Sequence, residues 1–253
     1  MKECIEYVSE KLSISNKALL EKDILLHRLL WRLCESEVKQ DYLFKGGTCL
    51  IKCYLGYFRF SEDLDFTYKD QKLFEGKSQK EIRKIVSKKI NQIAKVCTSI
   101  SKDLNMDFKA AKEDKKYFEY GGNNKFLTLK LWYTSKISGF EQFIKVQVNF
   151  VEKIIYKTQE REAKSLCANL DQKELTFLFP ESKELFLLPK PHCYDLKEIL
   201  AEKIRAMMTR KGVKVRDYID VYLIEKQYKL KPKREDVIQK IQIMLRYDKY
   251  LLN

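Results

Sequence analysis

The 253-residue chain carries 50 Lys and Arg against 36 Asp and Glu, which gives a formal net charge of +14 and a pI near 9.3. A chain of this length can bury a substantial core, either as one large domain or as a catalytic domain with a smaller helical appendage. The positive charge favours a polyanionic partner such as nucleic acid, although a merely basic solvated surface has the same balance.

The seven cysteines are scattered, odd in number and never spaced as CxxC, so the sequence predicts neither a disulfide framework nor a zinc knuckle. The N-terminal MKECIEYVSE has charges where a signal peptide needs an apolar core. No apolar stretch approaches the roughly 18 residues that a membrane span requires. These features predict a soluble protein of the reducing cytoplasm.

An amphipathic helix is predicted near the start of the chain, because apolar residues recur at helical spacing over residues 16–38. It contains His27, and His192 is the only other histidine, so a histidine-based catalytic triad is poorly supported. The segment DYLFKGGTCL then predicts a short strand that runs into two glycines, and a short helix follows at 49–55. FRFSEDLDFTY alternates as a strand does, and residues 77–102 predict a second long amphipathic helix.

The centre of the chain has the pattern of antiparallel hairpins, and the remainder is helical. Strands are predicted at 105–119, 125–134 and 143–154, with a GGNN turn and a Ser-Gly turn between them. Helices are predicted at 195–210, 215–226 and 234–252. The four prolines lie within 180–191 and at 232, so we place a domain boundary between residues 185 and 186.

Asp63 and Asp65 are two residues apart on a predicted strand, so both side chains point to the same face of the sheet. Adjacent carboxylates repel each other unless a cation lies between them, and such oxygen ligands suit Mg²⁺ together with substrate phosphates. A site of this type aligns an attacking hydroxyl with the α-phosphate of a nucleotide. Taken alone, such a pair more often marks a solvated strand end.

The segment Lys45-Gly46-Gly47-Thr48 lies between a predicted strand and a predicted helix, so its backbone amides and the helix N-terminus are placed to hold a triphosphate. Glycine permits the close approach of phosphate oxygens. The segment lacks the GxxxxGK[ST] pattern of a P-loop, which disfavours kinase or ATPase chemistry of that type. The alternative is an ordinary Gly-Gly turn in which Thr48 caps the following helix.

Two charged residues in the later helices are further candidates. Lys203 lies on or beside the apolar stripe of its helix, where the ammonium group either meets an anion or reaches the surface along its aliphatic stem. Asp217 shares a face with Val221 and Ile224 near the start of the next helix. Its structural alternative is to cap that helix or to pair with a nearby arginine.

Two strings, KGGTCLIKCYLGYFRFSEDLDF and EILAEKIRAMMTRKGVKVRDYIDVYLI, make the sequence resemble the AbiEii/AbiGii-type toxins. These toxins are a branch of the nucleotidyltransferase superfamily that includes DNA polymerase beta. The resemblance spans residues 19–228, roughly, and its two motifs occur in the same order. It implies an α+β fold, in which residues 1–185 form a nucleotidyltransferase domain with a mixed β-sheet flanked by helices, and residues 186–253 form a helical bundle.

The resemblance also implies roles for individual residues. The nucleotide phosphates would be held by Lys45, Gly46, Gly47, Thr48, Ser61 and Lys203, and Arg59 belongs to the same signature. Catalysis would involve Asp63, Asp65, Lys203 and Asp217, the last being the aspartate of the family's RD motif. Asp63 and Asp65 would bind Mg²⁺.

One position departs from the family pattern. The superfamily usually has a third carboxylate on a later strand, where the segment FIKVQVNF offers Gln147 and Asn149, and neither amide can act as a base. Either another acid such as Glu119 or Asp217 takes this place, or the alignment shifts, or the enzyme is slow or altered.

The sequence leaves three functions open. The first is Mg²⁺-dependent transfer of a nucleotidyl group from an NTP to RNA, chiefly transfer RNA, by a toxin that acts beside a cognate antitoxin or in phage defence. The second is a nucleotide- or RNA-binding protein of the same fold whose catalysis is weak or lost. The third is a small-molecule nucleotidyltransferase, which would leave the strong positive charge unexplained.

Overall fold

The computed structural model describes residues 1–122 and 125–245, and these residues contain one mixed sheet of seven strands. The strands are β1 (Tyr42–Lys45), β2 (Asp63–Tyr68), β3 (Phe118–Gly121), β4 (Phe126–Thr134), β5 (Glu141–Asn149), β6 (Gln159–Glu160) and β7 (His192–Cys193). They lie in the order β3-β4-β5-β2-β1-β7-β6. The β2–β5 and β1–β7 pairs are parallel and the other pairs are antiparallel, so β2 is an internal strand between β1 and β5.

Helices surround this sheet and follow it. They are α1 (Lys2–Lys11), α2 (Lys17–Glu35), α3 (Gly46–Leu50), α4 (Gln79–Asp103), α5 (Gln172–Leu178), α6 (Leu196–Thr209), α7 (Val215–Tyr228) and α8 (Arg234–Leu245). Side-chain caps fix where several of them begin: the Asn16 side chain caps α2, Ser78 forms a capping box with Glu81 at α4, and Asp195 caps α6. The α6 helix packs against both α7 and α8.

The larger hydrophobic core joins the sheet to α2, α4 and the first turns of α6. Alternate residues of β4 and β5 supply its centre, because the period of a strand sends every second side chain to one face. These residues are Leu127, Leu129, Leu131, Ile144, Val146 and Val148, all fully buried. A smaller core lies where α1 and α5 pack against the start of α2.

The structure confirms the predicted fold class, with three local differences. The predicted strand at 105–119 is irregular except at its end, where β3 begins, because Asp107 makes only an isolated bridge to Trp132. The helix expected at 49–55 begins three residues earlier, at Gly46, and continues through a π-helical turn at Ile51–Leu55. The sequence pattern also missed α1, α5 and the two-residue strands β6 and β7.

Strand β7 follows the boundary predicted at residue 185 and pairs with β1 of the preceding region. The division into residues 1–185 and 186–253 therefore stays a prediction. The end of the helix predicted at 234–252, after residue 245, and residues 123–124 of the predicted turn lie outside the described residues. Within the described part of the chain, no helix combines the length and apolar character needed to cross a bilayer.

All seven cysteines are buried and free of disulfides. The sulfur atoms of Cys49, Cys53 and Cys193 lie within 4.8 Å of one another, although Cys193 is far from the other two in the sequence. Structural zinc sites use four ligands, so these three thiols do not make a complete one. They pack between α3, its π-helical extension and β7.

Candidate active site

Asp63 and Asp65 are the first and third residues of β2, and their side chains share one face of this strand. Leu64 is fully buried and Phe66 nearly so on the opposite face, which confirms the alternation expected for a strand. In the sheet register, Asp65 lies between Lys45 of β1 and Gln147 of β5. Strand pairing therefore fixes Asp65 on both sides, whereas Asp63 is paired only with Lys145 of β5.

The two glycines bring the backbone of α3 against these carboxylates. Gly46 has φ +74°, and a Cβ atom there would lie 2.2 Å from Asp65 Oδ2. A Cβ atom on Gly47 would lie 2.9 Å from both Arg59 Nη2 and Ser61 Oγ. Only glycine fits either position without displacing a neighbour, so this close approach explains the Gly-Gly pair better than a simple turn does.

Thr48 does not cap the helix, so that alternative is wrong. It is the third residue of α3, which starts after Lys45, and its side chain is buried. Its hydroxyl donates to the Asp63 carbonyl oxygen at 2.5 Å. Thr48 thus ties α3 to the strand that carries the aspartates.

A cleft of about 580 Å³ opens above this floor, a size typical of ligand sites. The predicted site residues that line it are Lys45, Gly46, Gly47, Arg59, Ser61, Asp63, Asp65, Lys203 and Asp217. Of the predicted site residues, only Thr48 does not line the cleft. Further basic side chains from β5, α6, α7 and the loop between the two helices line the cleft, namely Lys145, Arg205, Arg210, Lys214 and Arg216.

Burial in this cleft disfavours the charged forms of both aspartates. Burial raises the pKa of Asp63, while Lys145 and Lys22 act in the opposite direction. Burial also raises the pKa of Asp65 to about 6, an effect that Lys45 reduces and the charge of Asp63 increases. Two crowded carboxylates with raised pKa values are stabilised by a cation. Their oxygens fit the ligand chemistry of a divalent ion such as Mg²⁺.

A second charged cluster links α6 and α7 to the cleft. Lys203 Nζ lies 2.8 Å from Asp217 Oδ1 and 2.6 Å from Asp220 Oδ2. Arg59 donates two hydrogen bonds to the Asp220 carboxylate, at 3.0 and 2.8 Å. Arg210 Nη1 donates to Asp217 Oδ2 at 2.7 Å. Burial opposes ionisation of Asp217, but the hydrogen bond from Lys203 lowers its pKa overall.

Asp220 is fully buried in this cluster, and the sequence analysis missed it. Its signal was its position three residues after Asp217, which places both carboxylates on the same face of α7. Of the two alternatives for Lys203, the structure shows a contact with anions and not an extension of the side chain to the surface. Its partners in this structure are the two aspartates.

A third cluster under the cleft was also missed. Lys45 Nζ lies 3.2 Å from Glu202 Oε1, and Lys240 of α8 lies 3.5 Å from the same oxygen. Lys240 is fully buried and also pairs with Glu198 and Glu152. Burial raises a carboxyl pKa, yet Lys45 and Lys240 together hold the pKa of Glu202 at about 2. The sequence signal was Glu198 and Glu202, four residues apart on one helix.

The position of the expected third carboxylate is occupied by Gln147, whose Nε2 donates to Thr128 Oγ1 at 3.1 Å. Glu119 lies in the same cross-strand row, but three strands away from Asp65, or about 14 Å at the usual strand spacing. It is too far to share an ion with Asp65. Asp217 and Glu202 are acids that do line the cleft.

Comparisons with known proteins identify the family and the fold of the chain. The model of the family described as "Nucleotidyl transferase AbiEii toxin, Type IV TA system" matches residues 28–246. Among the curated proteins, none matches the chain significantly. The solved structure of MenT4, a nucleotidyltransferase toxin from Mycobacterium tuberculosis H37Rv, is similar at 20% identity and a TM-score of 0.52, over 92% of this chain and 67% of that one.

JHP933 from Helicobacter pylori is similar at 16% identity and a TM-score of 0.46, over 85% of this chain and 68% of that one. At 20% identity, the likeness to MenT4 supports the fold alone. The family model, in contrast, covers most of the chain and includes both cleft motifs. The chain belongs to the AbiEii family of nucleotidyltransferase toxins.

Proposed function

We propose that this nucleotidyltransferase uses Mg²⁺ to transfer a nucleotidyl group from an NTP to the 3′ hydroxyl of an RNA, with transfer RNA as the acceptor class. The observation that carries the proposal is the Asp63–Asp65 pair beside the Gly46 backbone, at the floor of a cleft with a basic surround. Modification of transfer RNA in the cytoplasm blocks translation, which accounts for toxicity and for a cognate antitoxin.

In this transfer, the acceptor hydroxyl oxygen forms a bond to the α-phosphorus and the bond to the bridging oxygen breaks. Pyrophosphate leaves with the electron pair, and the hydroxyl proton passes to a base. Asp63 and Asp65 would hold the Mg²⁺, which would neutralise the charge that develops on the phosphate oxygens. Gly46 and Gly47 line the cleft, so the phosphate oxygens would lie against their backbone, and Lys203 and Arg205 are cations of α6 that line the same cleft.

The test uses purified protein, Mg²⁺, each labelled NTP in turn and total transfer RNA. We expect label to enter RNA with the wild type and to fall about 10³-fold or more in Asp63→Ala, because several kcal/mol of charge stabilisation are lost. Glu119→Ala is the matched control, since this acid lies on the same sheet outside the cleft and should transfer normally. Absence of label with every NTP, together with undiminished toxicity of Asp63→Ala in cells, would disprove the proposal.

One observation favours a second function. Gln147 stands beside Asp65 where the superfamily usually has an acid, which is compatible with a protein that binds nucleotide without transferring it. Calorimetry with Mg²⁺ and NTP separates the two functions: tight binding with no transfer to RNA or to small alcohols supports the binding protein. Transfer to a small molecule without RNA would instead support a small-molecule enzyme.

A further inference from the structure

The α7 helix has a buried face that carries two aspartates and an opposite apolar face that is exposed. Asp217, Asp220 and Ile224 lie on the buried face. On the opposite side, Val215, Tyr218, Ile219 and Tyr222 are 67%, 47%, 44% and 58% exposed. We call these four residues the α7 outer face. Their spacing of three and four residues is that of a stripe that normally meets another surface.

The surroundings of the α7 outer face are basic. Between residues 208 and 226 the chain has five basic residues, Arg210, Lys211, Lys214, Arg216 and Lys226. The acids in this segment are Asp217 and Asp220, both buried in ion pairs, and the exposed Glu225. A surface with exposed aromatic rings and this excess of positive charge is complementary to a polyanion that also offers planar bases.

This surface continues into the cleft. Arg210, Lys214 and Arg216 line the cleft, and Arg216 is close enough to Asp63 to lower its pKa against the effect of burial. The charge of Arg210, together with burial and Arg216, lowers the pKa of Lys214, so these cations repel one another. Such mutual repulsion is relieved by an anion. Basic side chains thus lead from the α7 outer face to the carboxylates.

We propose that the α7 outer face binds the single-stranded 3′ end of the RNA acceptor, with bases stacked on Tyr218 and Tyr222 and phosphates held by Lys214 and Arg216. The inference rests on the proposed function, because the bound end then leads to Asp63. RNA is favoured over a protein partner because basic residues flank the face, three of them lysines, and lysine is depleted in protein interfaces.

The test measures binding of fluorescein-labelled single-stranded RNA of twelve nucleotides, roughly the length of one binding site, and of total transfer RNA, by fluorescence anisotropy. Each Tyr→Ala change, at Tyr218 and at Tyr222, should weaken binding about tenfold, because one stacked base is lost. Tyr→Phe at the same positions keeps the ring and should bind within about twofold. Phe140→Ala and Phe177→Ala remove exposed aromatic rings outside the cleft lining and are matched surface controls.

Salt dependence provides a second readout that a change in folding would not imitate. Lys214→Ala and Arg216→Ala should each reduce the slope of log affinity against log salt by about one. Binding of Mg²⁺-NTP by the tyrosine variants should equal that of the wild type. RNA binding unchanged in both Tyr→Ala variants would overturn the inference. A changed oligomeric state in these variants with RNA binding intact would also overturn it, because it would assign the face to a protein interface.

The two proposals fail in distinguishable ways. If the wild type labels RNA and the Tyr→Ala variants do so with unchanged KM, the proposed function stands and the inference fails. If no transfer is seen but RNA binding falls in both Tyr→Ala variants and persists in Phe140→Ala, the RNA surface stands and the proposed chemistry fails.

Discussion

Gly46→Ala separates the role of the glycine in the site from its role in the backbone. A Cβ atom at this position would lie 2.2 Å from Asp65 Oδ2, more than about 1 Å short of the 3.4 Å at which ordinary contacts begin. The positive φ of +74° adds a cost of about 1–2 kcal/mol for a residue with a side chain. Asp65 must therefore move by about 1 Å, a displacement that typically costs about 100-fold in rate.

Gly139→Ala supplies the control, because Gly139 has φ +76° and nothing within 4 Å of its added Cβ. Both variants should lose about 2–8 °C in Tm from the backbone cost alone. Only Gly46→Ala should lose nucleotidyl transfer, by about 100-fold or about 2.7 kcal/mol in the barrier. The assay is label incorporation into transfer RNA beside thermal unfolding. Transfer by Gly46→Ala within about threefold of the wild type, or an equal loss in Gly139→Ala, would refute the reasoning.

Three further predictions concern buried polar groups. Burial lowers the pKa of His27 from its ordinary value of 6.5 to about 3. Below pH 6.5 the unfolded chain therefore binds a proton at this residue that the folded chain does not bind. The wild type should lose about 2 kcal/mol of folding stability between pH 7 and pH 5 for this reason. In urea titrations at the two pH values, the free energy of unfolding of His27→Gln should fall by about 2 kcal/mol less than that of the wild type. Equal losses in the two proteins would contradict the lowered pKa of His27. Lys240→Met leaves buried glutamates without their cation and should cost about 3–5 kcal/mol in the same assay, where a loss below about 1 kcal/mol would contradict the ion-pair interpretation. Arg59→Lys cannot reproduce the two-bond contact with Asp220 and should lower the stability by about 1–2 kcal/mol; an unchanged Tm would show that the second bond is dispensable.

Local patterns predicted much of the fold. Helices α2, α4 and α6 have long apolar stripes and begin at side-chain caps, so periodicity and cap chemistry agree on them. The hairpin of β4 and β5 was likewise predicted by strict alternation. In contrast, β6 and β7 are two residues long and exist only because the sheet edge is available, which no local pattern encodes.

The same distinction holds at the site. The two-residue spacing of Asp63 and Asp65 was sufficient to predict that their side chains share a face, whereas the resemblance to the toxin family joined them to the Gly-Gly segment. Glu202 and Lys240 come from helices that meet only in the folded chain, and a lone glutamate or lysine in a helix is usually solvated. Their roles therefore depend on tertiary packing, and the sequence alone did not predict them.

The burial of Lys240 has a consequence for the timing of toxicity. Helix α8 is made long after the strands that carry the aspartates, yet its lysine supplies the countercharge for Glu152, Glu198 and Glu202 beneath the cleft. A nascent chain that ends before α8 keeps three crowded acids without this cation. Such a chain should be inert, so the cell that makes the toxin is exposed to its activity only after translation has passed this helix. Premature stop codons upstream of α8 should accordingly appear among mutants selected for survival.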